Sequence, residues 1–467
     1  MEGEAYADIV WKEFRKNRPA RRMLAVLGAL VLVAILAPAI ASNQPFWFKE
    51  RDQLLFPWFI ALFNPDSGID FVFNVALMVL LPWMIGAWIL DAAARRAAMP
   101  GRRRVLFASL LWAGEMLFAT GVLAMLKGES VWVRYLSKGM VAALGIALAW
   151  GLFQRRTGGF ARLPRGAIRS LFPFAILMIL LAIFGIPRDK YFDRDFKKDQ
   201  VGNRGAGIYP PIPYGPQEID LDIIYKPPLV KKSADSARVH ESQTHWMGTD
   251  DLGRDVMVRL LYGTRISLTI GLVAVSIYVT IGIVFGALAG YFGGWVDMLI
   301  SRLIEIVLLF PSFFLILTLV ALIGPSLYMI MIVIGLTSWP GIARLMRGEF
   351  LKQRSIDYVP AARALGASNA RVMFRHILPN ALSPVFVSVP FGIAGAITIE
   401  AGLSVLGFGA RPPAPSWGAI LSLSFSNYEK WWLTVFAGLA IFFTMTVFNV
   451  VGNGLRDAMD PRLKGTR

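Results

Sequence analysis

Few polar residues are placed where they could do chemistry. Glu400 stands between Ile399 and Ala401 inside a long apolar run, and Arg302 and Glu305 stand in another. An ionisable group at membrane depth is costly, so it faces a protein interior or a water path. Two readings of Glu400 therefore stand side by side: a group lining a translocation path, or one bonded to a neighbouring helix. Arg302 and Glu305 are three apart, share a helix face and can pair, as an anchor or as part of a path. His240 and His245 precede Asp250 and Asp251, a set that could hold a metal such as nickel, although turn and cap roles suit the segment better. No catalytic, cofactor or metal site is expected. The phosphate-cradling string G-x-x-x-x-G-K-[ST] does not occur, so the chain has no visible means of binding ATP itself. Neither His-Glu-x-x-His nor Gly-x-Ser-x-Gly occurs. With 0 cysteines, disulfides and thiolate chemistry are excluded.

The elements that carry these residues belong to a membrane. The chain has 467 residues, 56% hydrophobic, with a mean hydropathy of +0.55. That balance predicts an all-α polytopic integral membrane protein. A spanning helix needs about 20 apolar residues. About ten runs qualify, near 23–42, 72–90, 105–126, 139–154, 170–187, 266–290, 300–323, 326–344, 380–407 and 432–455. The run 380–407 is long enough to break at Gly392, Gly395 or Gly402. The first run is too long for a signal-peptide core, so no cleavage is expected there. Gly271, Gly282, Gly286 and Gly290 recur near helical spacing, which permits close helix contact in a membrane.

The net charge of +17 is a topology signal rather than a nucleic-acid one. Basic residues cluster in short loops: Arg95, Arg96, Arg102, Arg103 and Arg104 in 91–104, and Arg155, Arg156, Arg162, Arg165 and Arg169 in 155–169. By the positive-inside rule these loops, the tail 1–22, the stretch 345–379 and the end 460–467 face the cytoplasm. Residues 188–265 then lie outside. That segment is rich in Pro, Gly and Tyr, as in Tyr209-Pro210-Pro211-Ile212-Pro213-Tyr214, and predicts an ordered cap of turns and extended chain. Asp250 or Asp251 is placed to cap a short helix there.

Residues 357–379 form a polar, basic island between two apolar runs. Ala361-Ala362-Arg363-Ala364-Leu365 predicts a short helix whose small residues present a low face to another protein. Asp357 offers a negative charge nearby, and Pro360 suits a first helical turn. Gly366 lets the chain leave with positive φ. After Arg371, His376-Ile377-Leu378-Pro379 leads back to the membrane, and Pro379 is expected to stop any further helix.

The chain resembles the second permease subunit of dipeptide and oligopeptide ABC importers, a family with nickel and microcin-C-type branches. The resemblance rests on strings in a fixed order over residues 245–463. The first is His245-Trp246-Met247-Gly248-Thr249-Asp250-Asp251-Leu252-Gly253-Arg254-Asp255, similar to the family's external segment. Gly290-Tyr291-Phe292-Gly293-Gly294-Trp295 and Ser338-Trp339-Pro340-Gly341 follow, then the island itself, similar to the family's coupling loop. Leu403-Ser404-Val405-Leu406-Gly407, Pro415-Ser416-Trp417-Gly418 and Gly454-Leu455-Arg456-Asp457 complete the series. Two departures stand out. Pro360 replaces the glutamate usual before the paired alanines, and residues 43–187 look like an insertion of about four helices. An even number of added helices preserves topology.

The resemblance implies a type I ABC importer permease core over 266–459, after a first span at 23–42. It implies a heterodimer with a second permease, two ATP-binding subunits carrying ATP and Mg, and an extracytoplasmic solute-binding protein. The setting would be the bacterial inner membrane and its lipid, with both termini cytoplasmic. ATPase coupling would fall to Asp357, Pro360, Ala361, Ala362, Arg363, Leu365, Gly366, Arg371, His376, Leu378 and Pro379. A secondary transporter or channel, and a non-transporting scaffold of the same fold, remain as alternatives.

Overall fold

The computed structural model describes residues 6–51, 53–62, 67–77, 194–202, 204–231, 244–410, 414–425 and 427–459. The runs expected at 105–126, 139–154 and 170–187, most of 72–90, and His240 lie outside these residues. The described residues fall into two compact units. One lies within residues 1–37, 214–236 and 240–467, and the other within 38–213 and 237–239.

The chain opens with α1 (Tyr6–Lys16) and α2 (Arg18–Ile40). Asn17 breaks them apart, and its Oδ1 accepts from the Ala20 amide at 3.1 Å, which caps α2. Val10 and Phe14 on α1 are buried with Val451 and Ala458.

In the second unit, β1 (Trp47–Glu50) pairs antiparallel with both β2 (Gln53–Leu55) and β3 (Ala206–Ile208). Between them come α3 (Pro57–Leu62), α4 (Gly68–Val75) and α5 (Phe196–Val201). Phe48, fully buried, meets the Phe196 ring edge-on at 5.1 Å. Arg194 donates twice to Glu50, both at 2.9 Å, and once to Asp199 at 2.5 Å. Ala41 bridges Ile212.

The first unit continues with a small hairpin of β4 (Val230–Lys231) and β5 (Thr244–His245). Then come α6 (Val256–Phe292), α7 (Gly294–Leu309), α8 (Ser312–Ile323), α9 (Leu327–Arg354), α10 (Tyr358–Ala364), α11 (Ser383–Val405), α12 (Trp417–Phe425) and α13 (Trp431–Met459). Among the described residues, five helices, α2, α6, α9, α11 and α13, are long and apolar enough to cross a membrane. α7 and α8, bent by 82° at Phe310–Pro311, make up to six if they form one span.

Three expectations need correction. α6 starts at Val256, ten residues before the apolar run at 266, because Asp255 caps it by accepting from the Val258 amide at 2.8 Å. The short helix expected after Asp250 or Asp251 is a turn instead, closed by Asp250 accepting from the Leu252 amide at 3.0 Å. Nor does α11 break at its glycines: it is continuous from Ser383 to Val405.

The core forms where α6 meets α9. A Cβ at Gly282, Gly286 or Gly290 would lie 2.6, 2.5 and 2.6 Å from Ile342, Ala343 and Phe350. Every fourth residue of α6 faces the same neighbour, and only hydrogen fits there. Gly335 returns the contact, receiving Ile277 of α6.

Candidate functional site

α9 runs past its apolar stretch and ends on Lys352 and Arg354, cations that suit a helix C-terminus. α10 then spans Tyr358–Ala364, starting before the expected helix at Ala361–Leu365 and taking Pro360 into its first turn. Asp357 holds the N-cap position without a side-chain capping bond. Pro360 lies in the first turn, where a missing N–H leaves no acceptor wanting.

Val359 is buried and Ala362 half-buried, both turned to the core. Pro360, Ala361, Arg363 and Ala364 are exposed, and Leu365 is 89% exposed. The low face is therefore Ala361 and Ala364. Ala362, expected to share it, follows Val359 by three residues and turns inward.

Gly366 has φ +79°. Its amide donates to the Arg363 carbonyl at 2.9 Å, and the Ala367 amide to the Ala362 carbonyl at 3.1 Å. This pair of bonds is a Schellman closure and requires the left-handed residue that glycine supplies. Ser368 caps the short turn Asn369–Arg371. A π-helix, Val372–Ile377, follows and leads into a helical turn, Leu378–Ala381. Pro379 thus opens a helical turn and does not stop one. It sits in the first turn, where its lack of N–H is tolerated, and the π-turn before it absorbs the change of register. Arg371 and Pro379 are exposed, His376 and Leu378 half-buried, and Phe374 is 67% exposed.

The loop is braced on Tyr291 at the end of α6. The Tyr291 hydroxyl donates to Asn369 Oδ1 at 2.7 Å, and its carbonyl accepts from Arg354 at 2.9 Å. The Arg363 guanidinium stands 5.3 Å over its ring. Alongside, Arg347 of α9 grips Asp297 of α7 through two bonds of 2.5 and 2.7 Å. Neither Tyr291 nor Asn369 was singled out for a role from sequence. Nothing local marks a contact between residues 78 apart. The loop carries no group poised for bond chemistry. It presents a shaped surface on a rigid mount.

A second polar cluster precedes α6. Asp250 is fully buried and accepts from the Leu252 and Arg254 amides at 3.0 and 2.9 Å, from Arg254 Nε at 2.8 Å and from Arg259. Asp251 accepts from Arg254 at 2.8 Å. Asp255 pairs with His245 Nδ1 at 2.8 Å, and Tyr214 stacks on that ring at 4.4 Å. Burial and nearby Asp255, Glu218 and Asp220 push the Tyr214 hydroxyl well above its ordinary range. Thr249 donates to the Ile223 carbonyl and accepts from the Lys226 amide at 2.9 Å. Gly248 has φ +79°. Gly253, at φ +70°, lies so close to Asp220 that a Cβ would fall 1.8 Å from its carbonyl oxygen. Charges here are paired with each other, and among the described residues no group of three or more His, Cys, Asp or Glu could hold a metal.

Glu400 is 1% exposed. Its Oε1 accepts from Ser404 and from Ser416, each at 2.9 Å, and its Oε2 has no hydrogen-bond partner among the described residues. It ties α11 to the residue before α12. Arg302 and Glu305 do pair, at 2.6 Å, on an exposed face.

Residues 282–465 match the family "Binding-protein-dependent transport system inner membrane component". Residues 6–57 match the "N-terminal TM domain of oligopeptide transport permease C". The dipeptide transport system permease protein DppC of Alkalihalophilus pseudofirmus is 43% identical over 48% of this chain and 74% of its own length. The peptidoglycan transport system permease protein YejE of Agrobacterium fabrum is 36% identical over 58% of this chain and 75% of its own. Among solved structures, an inward-facing MetNI methionine ABC transporter chain is 16% identical, with a TM-score of 0.35 over 43% of this chain and 97% of that one. Identity at this level over three quarters of a relative settles descent: the chain belongs to the inner-membrane permeases of binding-protein-dependent transport, in the branch of dipeptide and oligopeptide ABC importer permeases.

Proposed function

We propose that this permease subunit passes peptides or peptide-like solutes inward, driven by ATP hydrolysis on partner chains. Likeness to relatives named for dipeptide and peptidoglycan transport supports that solute class. The assembly would comprise a second permease, two ATP-binding subunits holding ATP and Mg, and an external solute-binding protein. Residues 1–22, 357–379 and 460–467 would face the cytoplasm, and the cluster around Asp250 the outside.

The observation that carries this reading is α10. It is a single short helix with an exposed face of Ala361, Ala364 and Leu365, closed by Gly366 and braced on Tyr291. Small residues let a partner groove approach the backbone closely, and Leu365 supplies an apolar knob. Arg363 and Arg371 stand at the rim for carboxylates. Motion of the partner would reach α6 through Tyr291 and α9 through Arg354. Such a push shifts the two access states only through the partner's different affinity for each. Glu400 is the candidate path group, its free Oε2 offering an acceptor if α11 and α12 part.

The test is purification of the full chain from its native membrane, with identification of what accompanies it. ATPase subunits and a second permease should co-purify with the wild-type chain. Ala361→Trp should lose the ATPases and keep the second permease. A chain that brings no ATPase in either form would overturn the proposal.

A further inference from the structure

A groove of about 320 Å³ opens beside α1, at the low end of the roughly 300–1,000 Å³ typical of ligand pockets. Trp11, Phe14, Leu24, Phe386 and Met459 line it, and Ser383 is the one polar residue in its wall. Trp11 and Phe386 are half-exposed, so the groove is open along its length. Its walls come from α1, α2, the turn Leu378–Ala381 through Pro379, α11 and α13, all within one compact unit.

The rim is basic. Arg15 follows Trp11 by four residues and Arg21 precedes Leu24 by three, so each lies one helical turn from a lining residue on its own helix. Arg15, Arg18, Arg21 and Arg22 are all exposed, and none has a carboxylate partner among the described residues. An apolar slot ending in unpaired arginines matches one kind of molecule, with a hydrocarbon tail and an anionic head. α1 itself has the form of an interfacial helix, with Val10 and Phe14 inward and Lys12, Arg15 and Lys16 outward.

We propose that this groove is a binding site for an anionic phospholipid, one acyl chain lying against Trp11, Phe14 and Phe386 and the phosphate held by Arg15 and Arg21. The site would tie α1 to the α11–α13 end of the unit from the lipid side. It rests on the reading of the chain as a membrane permease, but not on any choice of solute.

The test uses the purified full-length chain in detergent, with native mass spectrometry after addition of phosphatidylglycerol or phosphatidylcholine. Retained phosphatidylglycerol should exceed phosphatidylcholine. Arg15→Gln with Arg21→Gln should lower phosphatidylglycerol retention at least about tenfold, given the contribution of each cation near an anionic surface. Ser383→Trp, which fills the groove, should abolish retention of the same lipid. Equal retention of both lipids, or unchanged retention in the arginine variant, would overturn the site. So would a protein chain cross-linked to position 11 in the native membrane, since it would show the groove covered by a partner. Co-purification of ATPase subunits with the arginine variant separates failure of this site from failure of the permease reading.

Discussion

The Arg265 guanidinium donates to the Ala34 carbonyl at 2.7 Å. In α2 that carbonyl would ordinarily accept from residue 38, which is a proline and has no N–H. A fully buried arginine on α6 thus supplies the donor that proline removes from α2, and it reaches the Ile35 carbonyl as well at 3.3 Å. Arg265→Met should therefore lower thermal stability by about 1–3 kcal/mol, the cost of leaving buried carbonyls unpaired. In a Pro38→Ala background residue 38 regains its N–H, and the same change should cost less. A double-mutant cycle on the purified chain measures this, and strictly additive losses would refute the coupling.

The coupling surface makes a sharper forecast at neighbouring alanines. Ala361 is exposed and Ala362 half-buried. Tryptophan at 361 should leave insertion and melting temperature unchanged while abolishing uptake and its linked ATP hydrolysis. Tryptophan at 362 should also destabilise the chain, by about 1–3 kcal/mol, because it overfills a packed site. Equal stability of the two variants would show that the inward turn of Ala362 is wrong.

These distinctions mark what could be read in the sequence. Apolar runs located α2, α6, α9, α11 and α13, because length and hydropathy are local properties. Gly366 was legible for the same reason: one residue type answers one backbone need. Helix ends were not. Apolarity begins at 266, whereas α6 begins at the Asp255 cap, so the polar turns that carry Arg259 and Arg265 fall by sequence within the expected external cap. Pro379 has the look of a helix stop in the sequence, because the π-turn that precedes it has no sequence signature. The brace at Tyr291, the grip of Arg347 on Asp297 and the Asp250 cluster depend on residues brought together only by the packed helices.

Tyr291 is the point where α6 meets the loop. Tyr291→Phe keeps the ring under Arg363 and removes only the hydrogen bond to Asn369. A loss of about 0.5–1.5 kcal/mol is expected, with local amide exchange across 366–371 faster than in the wild type. The fold should survive. Unchanged exchange in that segment would mean the loop is held by Arg354 and burial alone.

The second unit carries a pH dependence. The Arg194 hydrogen bonds hold the Glu50 carboxyl below its ordinary value. A carboxylate whose folded value is depressed stabilises the fold above its unfolded value, and the gain fades as pH falls through the folded one. Neutral pH should therefore keep β1 clasped to Arg194, and acidification below the ordinary carboxylate range should loosen it. Amide exchange in 206–208, which pairs with β1, should rise in acid in the wild type. Glu50→Gln should show faster exchange already at neutral pH and little further change in acid, because its amide cannot titrate. An acid response of equal size in both proteins would place the titrating group elsewhere and remove Glu50 from the account.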